Sequence, residues 1–330
     1  MLRYSTLRER LALAQPQMIK LGIVGVGKIV QDQHLPSIKN TNLFELTATA
    51  SRNGQVDGVP AFANIEMMLA QAPQLQAVAL CTPPQYRFAM ACHAIDQGVD
   101  VLLEKPPAAS VAEAKHLLDR AKSRGVSLFA TWHSRYAAGI ASAKKLLADA
   151  TIHSVEMQWI EDVKKWHPNQ EWVWQPGGLG VFDPGINGLS ILTDVLPDAV
   201  YVTAADLLVP NNKHTPIAAL LALQSSAGYP ITARLDWRAE NKTKQPECWH
   251  ILFKTSKGDI ELSQGGAVCL HEGAQVSTTS SHSQFGEYEA IYREFAHLIR
   301  SRQSNVDLTP LQVVADSFML AKVESIEEFA

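Results

Sequence analysis

The chain has 330 residues, 46% hydrophobic and 19% charged, with a formal net charge of −4. That composition describes an ordinary globular chain long enough for two domains, and it offers no electrostatic case for nucleic acid or an anionic membrane as a partner. No apolar run approaches the roughly 20 residues of a membrane span, and the scattered Cys81, Cys92, Cys248 and Cys269 lack zinc-site spacing, which suits free thiols in a reducing cytoplasm.

Residues 1–17 carry Arg3, Arg8 and Arg10 among short apolar patches, with neither a sustained apolar core nor a cleavage site. They read as an extension of unknown role, and Met18, directly before the first predicted strand, is a candidate start. Lys20–Val30 then runs from an apolar strand through Gly25-Val26-Gly27 into a helix start at Ile29 and Val30. Gly25 permits a tight turn, Gly27 leaves no Cβ between backbone and a pyrophosphate, and the helix N-terminus attracts phosphate charge. The third glycine of the dinucleotide fingerprint is absent, because Val30 occupies its place. A first helix follows through Leu35 and Ile38, with Pro36 expected to bend or end it.

Phe44–Ala50 alternates as a second strand and ends in Ser51-Arg52-Asn53. An NAD-binding unit commonly places an acid there for the adenosine ribose. Here a hydroxyl and a planar cation stand instead, which suits a 2′-phosphate and favours NADP, with NAD as the alternative. Ser51 and Arg52 could equally serve only to end the strand.

A short helix over residues 65–71 leads to a buried strand at 77–80 and the turn Cys81-Thr82-Pro83-Pro84. An amphipathic helix from Arg87 to Gln97 closes at Gly98, and a further buried strand, 100–103, ends in Glu104-Lys105-Pro106-Pro107. Flanking prolines restrict the backbone, and a cis X-Pro bond would aim Lys105 in one direction. Ser110 with Glu113 forms a capping box for the next helix, and Ser127–Thr131 is a further strand. This alternation predicts a doubly wound parallel sheet over residues 18–135, with ligands beyond the carboxyl ends of its strands. Ser51, Thr82, Lys105 and His133 all fall at such ends.

Gly25-Val26-Gly27, Thr82-Pro83-Pro84 and Glu104-Lys105-Pro106, in this order, resemble the Gfo/Idh/MocA family of oxidoreductases over nearly the whole chain from Met18. The resemblance implies a Rossmann domain whose cofactor contacts come from Gly25, Gly27, Lys28, Ile29, Ser51 and Arg52. Cys81, Thr82, Pro83, Glu104 and Lys105 complete that set, and Lys105 is implied to hydrogen-bond the reacting hydroxyl beside the nicotinamide. The family often has Thr-Pro-Asn followed by a histidine; Pro84 and Arg87 stand in those places here.

In the second half, a helix over residues 137–148 and a strand over 154–160 lead to Glu161 and the loop Trp166-His167-Pro168 to Trp172-Val173-Trp174. Aromatic faces beside polar groups suit a sugar, although tryptophans anchoring a loop would read the same way. In Gly177-Gly178-Leu179-Gly180-Val181-Phe182-Asp183-Pro184-Gly185-Ile186-Asn187, Pro184 fits a first helical turn and Asp183 an N-cap. Asp183 and Asn187 share one helix face. The stretch is similar to the family's Asp-x-x-x-His motif with asparagine for histidine, which removes a base at that position. In this form it resembles the aldose 1-dehydrogenase branch, acting on L-arabinose and D-galactose. That resemblance implies Lys105 and Asp183 as catalytic residues, with Asn187 against the anomeric hydroxyl. It further implies Glu161, His167 and His133 as sugar-hydroxyl partners, with Trp166 and Trp174 in the sugar loop.

Six strands follow between residues 199 and 271 and predict an open, mainly antiparallel sheet. An amphipathic helix covers residues 287–300, and a last helix over 309–326 is expected to pack back on the first domain. The open sheet face suggests a dimer. Residues 136–330 thus form an α+β substrate domain. The expected reaction is oxidation of an aldopyranose at C1 to its lactone, with NADP favoured and no metal. Asp183 is the expected base and Lys105 the orienting cation, the division between the two staying open. A ring-carbon sugar or inositol dehydrogenase and a non-catalytic sugar–nucleotide sensor are the alternatives.

Overall fold

The computed structural model describes residues 17–52, 54–239, 246–276 and 286–329. The extension expected at the N-terminus lies, up to residue 16, outside the described residues, as does Asn53.

Six apolar runs make the first sheet: β1 (Ile19–Val24), β2 (Phe44–Ala50), β3 (Ala61–Phe62), β4 (Ala77–Leu80), β5 (Asp100–Leu103) and β6 (Leu128–Ala130). All pair in parallel in the order β3-β2-β1-β4-β5-β6. β4 and β5 are buried throughout, as a parallel sheet covered on both faces requires. The winding reverses between β1 and β4, which opens a crevice at their carboxyl ends.

The first helix differs from expectation. It opens as a π-helical turn, α1 (Val30–His34), and continues as α2 (Leu35–Thr41), with Pro36 in the first turn of α2 rather than at a bend or end. A wide turn is a place where a residue lacking its N–H can be taken up without breaking the helix. Helices α3 (Ile65–Gln71), α4 (Pro84–Asp96) and α5 (Val111–Arg124) complete the crossovers. The Ser110 hydroxyl accepts from the Glu113 amide at 3.2 Å, while the Glu113 carboxylate reaches back to the Ala109 amide.

The second sheet has nine strands: β7 (Ile152–Ile160), β8 (Val200–Pro210), β9 (Ala218–Ser225), β10 (Pro230–Asp236), β11 (Cys248–Thr255), β12 (Gly258–Ser263), β13 (Val268–His271), β14 (Ala274–Gln275) and β15 (Ala321–Ile326). Their order is β14-β13-β12-β11-β7-β10-β9-β8-β15, antiparallel except at the β7–β10 and β8–β15 pairs. Helix α6 (Ile140–Ala148) leads into this half, and a short turn, α7 (Val163–Trp166), follows β7. Helix α8 (Phe182–Val195) lies so close on the sheet that a Cβ at Gly188 would meet the Trp159 ring at 2.6 Å.

Two helices correct the expected domain arrangement. Residues 309–326 do not form one helix: α10 (Thr309–Met319) ends there and β15 follows as an edge strand. Leu311, Val313 and Val314 of α10 bury in the second core, against α8 and β8, although α10 also borders the start of α5. The helix that returns to the first sheet is α9 (Glu287–Ser301). Its Ile291, Tyr292, Phe295 and Leu298 pack with Leu21, Ile23, Phe44 and Phe129.

Candidate active site

At the crevice, Gly25 has φ +87°, and a Cβ there would meet the Thr82 amide at 3.0 Å. The β1 and β4 turns are thus packed against each other, and only glycine tolerates both the angle and the approach. A Cβ at Gly27 would meet nothing within 4 Å, so the loop leaves open space where a phosphate would approach the helix start. The Ser51 hydroxyl accepts from the Val26 amide at 3.2 Å and so braces the loop. Arg52 is exposed, its guanidinium carbon 6.0 Å from the Tyr86 ring centre, while exposed Lys28 pairs with Asp32. Ile29 is 37% exposed at the same edge. Open space at Gly27, a free helix start and a cation at the end of β2 fit a nicotinamide dinucleotide.

Beyond β5 the Lys105–Pro106 bond is cis. The Lys105 ammonium donates to the Asp183 carbonyl oxygen at 2.8 Å and stands 3.3 Å from Asp183 Oδ2. Asp183 is buried, and it sits within the first turn of α8 rather than at its N-cap, which is Val181. Asn187 follows one turn later and is half-buried.

A histidine reaches the acid from another element: His167 Nε2 lies 3.6 Å from Asp183 Oδ2. Gln170 Oε1 accepts the Trp172 indole N–H at 3.1 Å and faces His167 Nδ1 at 3.3 Å. That arrangement favours the tautomer with its proton on Nδ1 and a lone pair on Nε2 toward Asp183. Burial pushes the imidazole pKa down, with the Asp183 charge opposing and the Lys105 charge assisting, so the ring is neutral near pH 7. Glu161 closes the group. Its Oε1 accepts the Trp249 indole at 2.8 Å and the Trp159 indole at 3.1 Å. Burial raises the Glu161 pKa, against the pull of both indoles and of Lys105.

The remaining predicted residues stand apart from this group. Trp166 is 42% exposed, edge-on to Trp249, and donates to Glu247. Trp174 lies one layer back in the core, its ring on Trp237, which in turn touches His167. His133 is not with Asp183: its Nδ1 is 2.6 Å from Glu287 Oε2 and its ring stacks on Tyr288.

Behind Lys105 lies a buried polar cluster that sequence reasoning missed. Glu104 Oε1 meets His34 Nε2 at 3.0 Å and accepts from the Tyr288 hydroxyl at 2.9 Å, while Oε2 accepts from the Lys105 amide at 2.9 Å. His34 Nδ1 meets the Tyr292 hydroxyl at 2.8 Å, and the Cys81 sulfur lies 3.6 Å from Nε2. Burial favours a neutral Glu104, but the His34 hydrogen bond and charge, with His133 and Arg87, hold its pKa down at about 2. Burial likewise opposes a charged His34, yet the Cys81 and Tyr292 groups and Glu104 raise it well above its ordinary value. The available signal was His34 itself, a histidine about two turns beyond the glycine loop.

Arg87 was visible in sequence only as a departure from the family pattern. It is buried; its Nη1 donates to the Glu104 and Pro106 carbonyls and its Nη2 to the Thr82 carbonyl. Burial lowers its pKa to about 10, against the nearby Glu104 charge, and the guanidinium remains charged at neutral pH. On the same first turn of α4, Gln85 donates to the Trp172 carbonyl at 3.2 Å, tying this helix to the tryptophan loop. Among the described residues no group of His, Cys, Asp and Glu is arranged to hold a metal ion, and no helix is long and apolar enough to cross a membrane.

Comparison with known proteins agrees with this fold. A family model described as oxidoreductase family, NAD-binding Rossmann fold, matches residues 19–131. The chain is 41% identical over 313 residues to galactose 1-dehydrogenase of Pseudomonas fluorescens, covering 95% of this chain and 99% of that one. It superposes on the crystal structure of D-galactose-1-dehydrogenase from Rhizobium etli with a TM-score of 0.88 and 48% identity, over 95% and 98% of the two chains. A 3-ketoreductase from Actinomadura kijaniata, crystallised with NADP, shares the fold at a TM-score of 0.80 and 18% identity, over 94% of this chain and 100% of that one.

Proposed function

The chain belongs to the Gfo/Idh/MocA oxidoreductase family, and from that premise we propose that it is an aldose 1-dehydrogenase. It would oxidise the C1 hydroxyl of an aldopyranose of the galactose or arabinose configuration to the lactone, with NADP favoured over NAD. The observation that carries this reading is the Lys105–Asp183 pair at the crevice edge, with His167 and Glu161 around it. The names of the two galactose dehydrogenases support the sugar.

A bound nicotinamide dinucleotide supplies the acceptor for the C1 hydride. The chain's own side chains handle the proton and the orientation. The Asp183 carboxylate takes the proton of the C1 hydroxyl while the Lys105 ammonium hydrogen-bonds the same oxygen, so that charge developing there is met by a fixed cation. The His167 Nε2 lone pair accepts from a neighbouring hydroxyl or receives the proton from Asp183 onward. Glu161, held by two indoles, offers a carboxylate to a second hydroxyl, and Asn187 provides both an amide donor and an acceptor. Arg52 supports the 2′-phosphate assignment as an exposed planar cation beside Tyr86.

The outer face of the nine-stranded sheet exposes Tyr201 and Leu220, which supports a homodimer through this face. Four free cysteines support a reducing, cytoplasmic setting. The test of function is appearance of reduced nicotinamide across a panel of aldoses with each cofactor. Turnover of D-galactose or L-arabinose is expected, and no turnover with any aldose would refute the proposal.

A further inference from the structure

We propose that Arg87 is a positioning residue for Lys105, locking the backbone on both sides of the lysine so that its ammonium is held against Asp183. The inference rests on the catalytic reading of Lys105 given above.

A lysine side chain is a flexible four-carbon stem, and placing its nitrogen to within a fraction of an ångström depends on where its Cα is held. Strand β5 ends at Leu103, so residues 104–106 lie beyond the ladder that would fix their carbonyls. The Arg87 guanidinium takes over at that point. One terminal nitrogen donates to the carbonyl before Lys105 and to the second carbonyl along, those of Glu104 and Pro106. The other donates to the Thr82 carbonyl, in the turn that packs on Gly25. A planar fork therefore joins the cofactor turn of β4 to the lysine turn of β5. A further anchor of the lysine backbone is its own amide, which donates to Glu104 Oε2 at 2.9 Å. Arg87 itself cannot drift, because it is buried on the first turn of α4, the helix that Gln85 ties to the tryptophan loop.

A lysine ammonium cannot reproduce this geometry. It donates from a single nitrogen and has no planar fork to span three carbonyls on two turns. Misplacing a reacting group by about 1 Å costs on the order of a hundredfold in rate. The effect should appear in kcat, because Arg87 borders neither the open space at Gly27 nor the Glu161 indoles.

The test compares Arg87→Lys and Arg87→Met with wild type, each alone and combined with Lys105→Met. We expect kcat to fall on the order of a hundredfold in Arg87→Met and less in Arg87→Lys. The sugar KM should stay within about twofold, and millimolar guanidinium should partly rescue Arg87→Met. In the Lys105→Met background the Arg87 substitutions should cost little more, because the group they position is already gone. Equal losses in both backgrounds would overturn the proposal and leave Arg87 a purely structural residue. A second measurement needs no turnover. After reductive 13C-methylation, the Lys105 signal, assigned by its loss in Lys105→Met, should move toward those of exposed lysines in both Arg87 variants. An unmoved signal would also overturn the proposal. Absence of turnover in wild type would instead count against the sugar reading, with the lysine signal still deciding the role of Arg87.

Discussion

Lys105 and Asp183 are joined twice: the ammonium donates to the Asp183 carbonyl at 2.8 Å and stands 3.3 Å from its carboxylate. The backbone contact survives any change to the Asp183 side chain. Asp183→Asn should therefore leave Lys105 in place and remove only the proton acceptor. We expect kcat to fall on the order of a thousandfold with cofactor affinity unchanged, measured by steady-state kinetics and NADPH fluorescence. Normal turnover in Asp183→Asn would remove the base assignment.

The glycine pair separates folding from binding. Gly25→Ala should cost about 1–2 kcal/mol or more of stability, because φ is +87° and the new Cβ presses on the Thr82 amide. Gly27→Ala meets no neighbour within 4 Å and should melt like wild type. It should nevertheless lose cofactor affinity, since its methyl enters the space expected for the pyrophosphate. Thermal melts and cofactor titrations distinguish the two, and tight binding in Gly27→Ala would count against this phosphate loop.

Arg52 offers the cofactor test. Arg52→Ala should raise the KM for NADP⁺ by about ten- to a hundredfold, the worth of a charge-assisted hydrogen bond of about 1.5–3 kcal/mol. The KM for NAD⁺ should hardly move. Equal effects on the two cofactors would rule out a 2′-phosphate contact.

Glu161 is placed for function at some expense to stability. Its pKa is raised by burial, so the folded state binds the proton more tightly than the unfolded one. Stability from this group is full below the unfolded value of about 4.3 and is lost as pH rises through the raised folded value. Glu161→Gln, whose amide oxygen can still accept both indoles, should therefore raise Tm at pH 7–8 and lose that advantage in acid. It should also raise the sugar KM. A lower Tm at neutral pH would contradict the burial argument.

The Glu104–His34 pair works in the opposite sense. Glu104 sits at about 2, so its contribution is present above about 4.3 and lost as pH falls through about 2. His34 is raised, so its share is present below about 6.5 and lost as pH climbs through its folded value. Glu104→Gln leaves a buried imidazolium without its partner and should cost about 3–5 kcal/mol. The deficit should be widest at mildly acid pH, as urea melts at several pH values would show.

How much was legible in sequence follows from where burial leaves a pattern. The parallel strands other than the two-residue β3, and α8, read clearly, because their apolar residues are continuous or helically spaced. Ala321–Ile326 did not, since an edge strand with four of its six side chains exposed carries no alternation to read. The turns bearing Lys105 and Thr82 were visible as motifs, but the Arg87 bonds between them join backbone carbonyls, which have no sequence signature. His167 and Asp183 lie on separate elements, so the replacement of one histidine by Asn187 read as the loss of a base at that position, and His167 was expected only as a sugar-hydroxyl partner. The structure brings its imidazole to the acid from the tryptophan loop.

The return of α9 to the first sheet bears on how this chain can be made. One apolar face of the nucleotide domain, with Leu21, Ile23 and Phe129, stays uncovered until residues 287–301 have left the ribosome. Contacts between segments so distant in sequence are slow to form and leave sticky intermediates in the meantime. A fragment cut at residue 135 would carry every cofactor motif and still lack its own lid of apolar side chains. Expressed alone it should aggregate, and a co-expressed segment containing α9 should return it to solution.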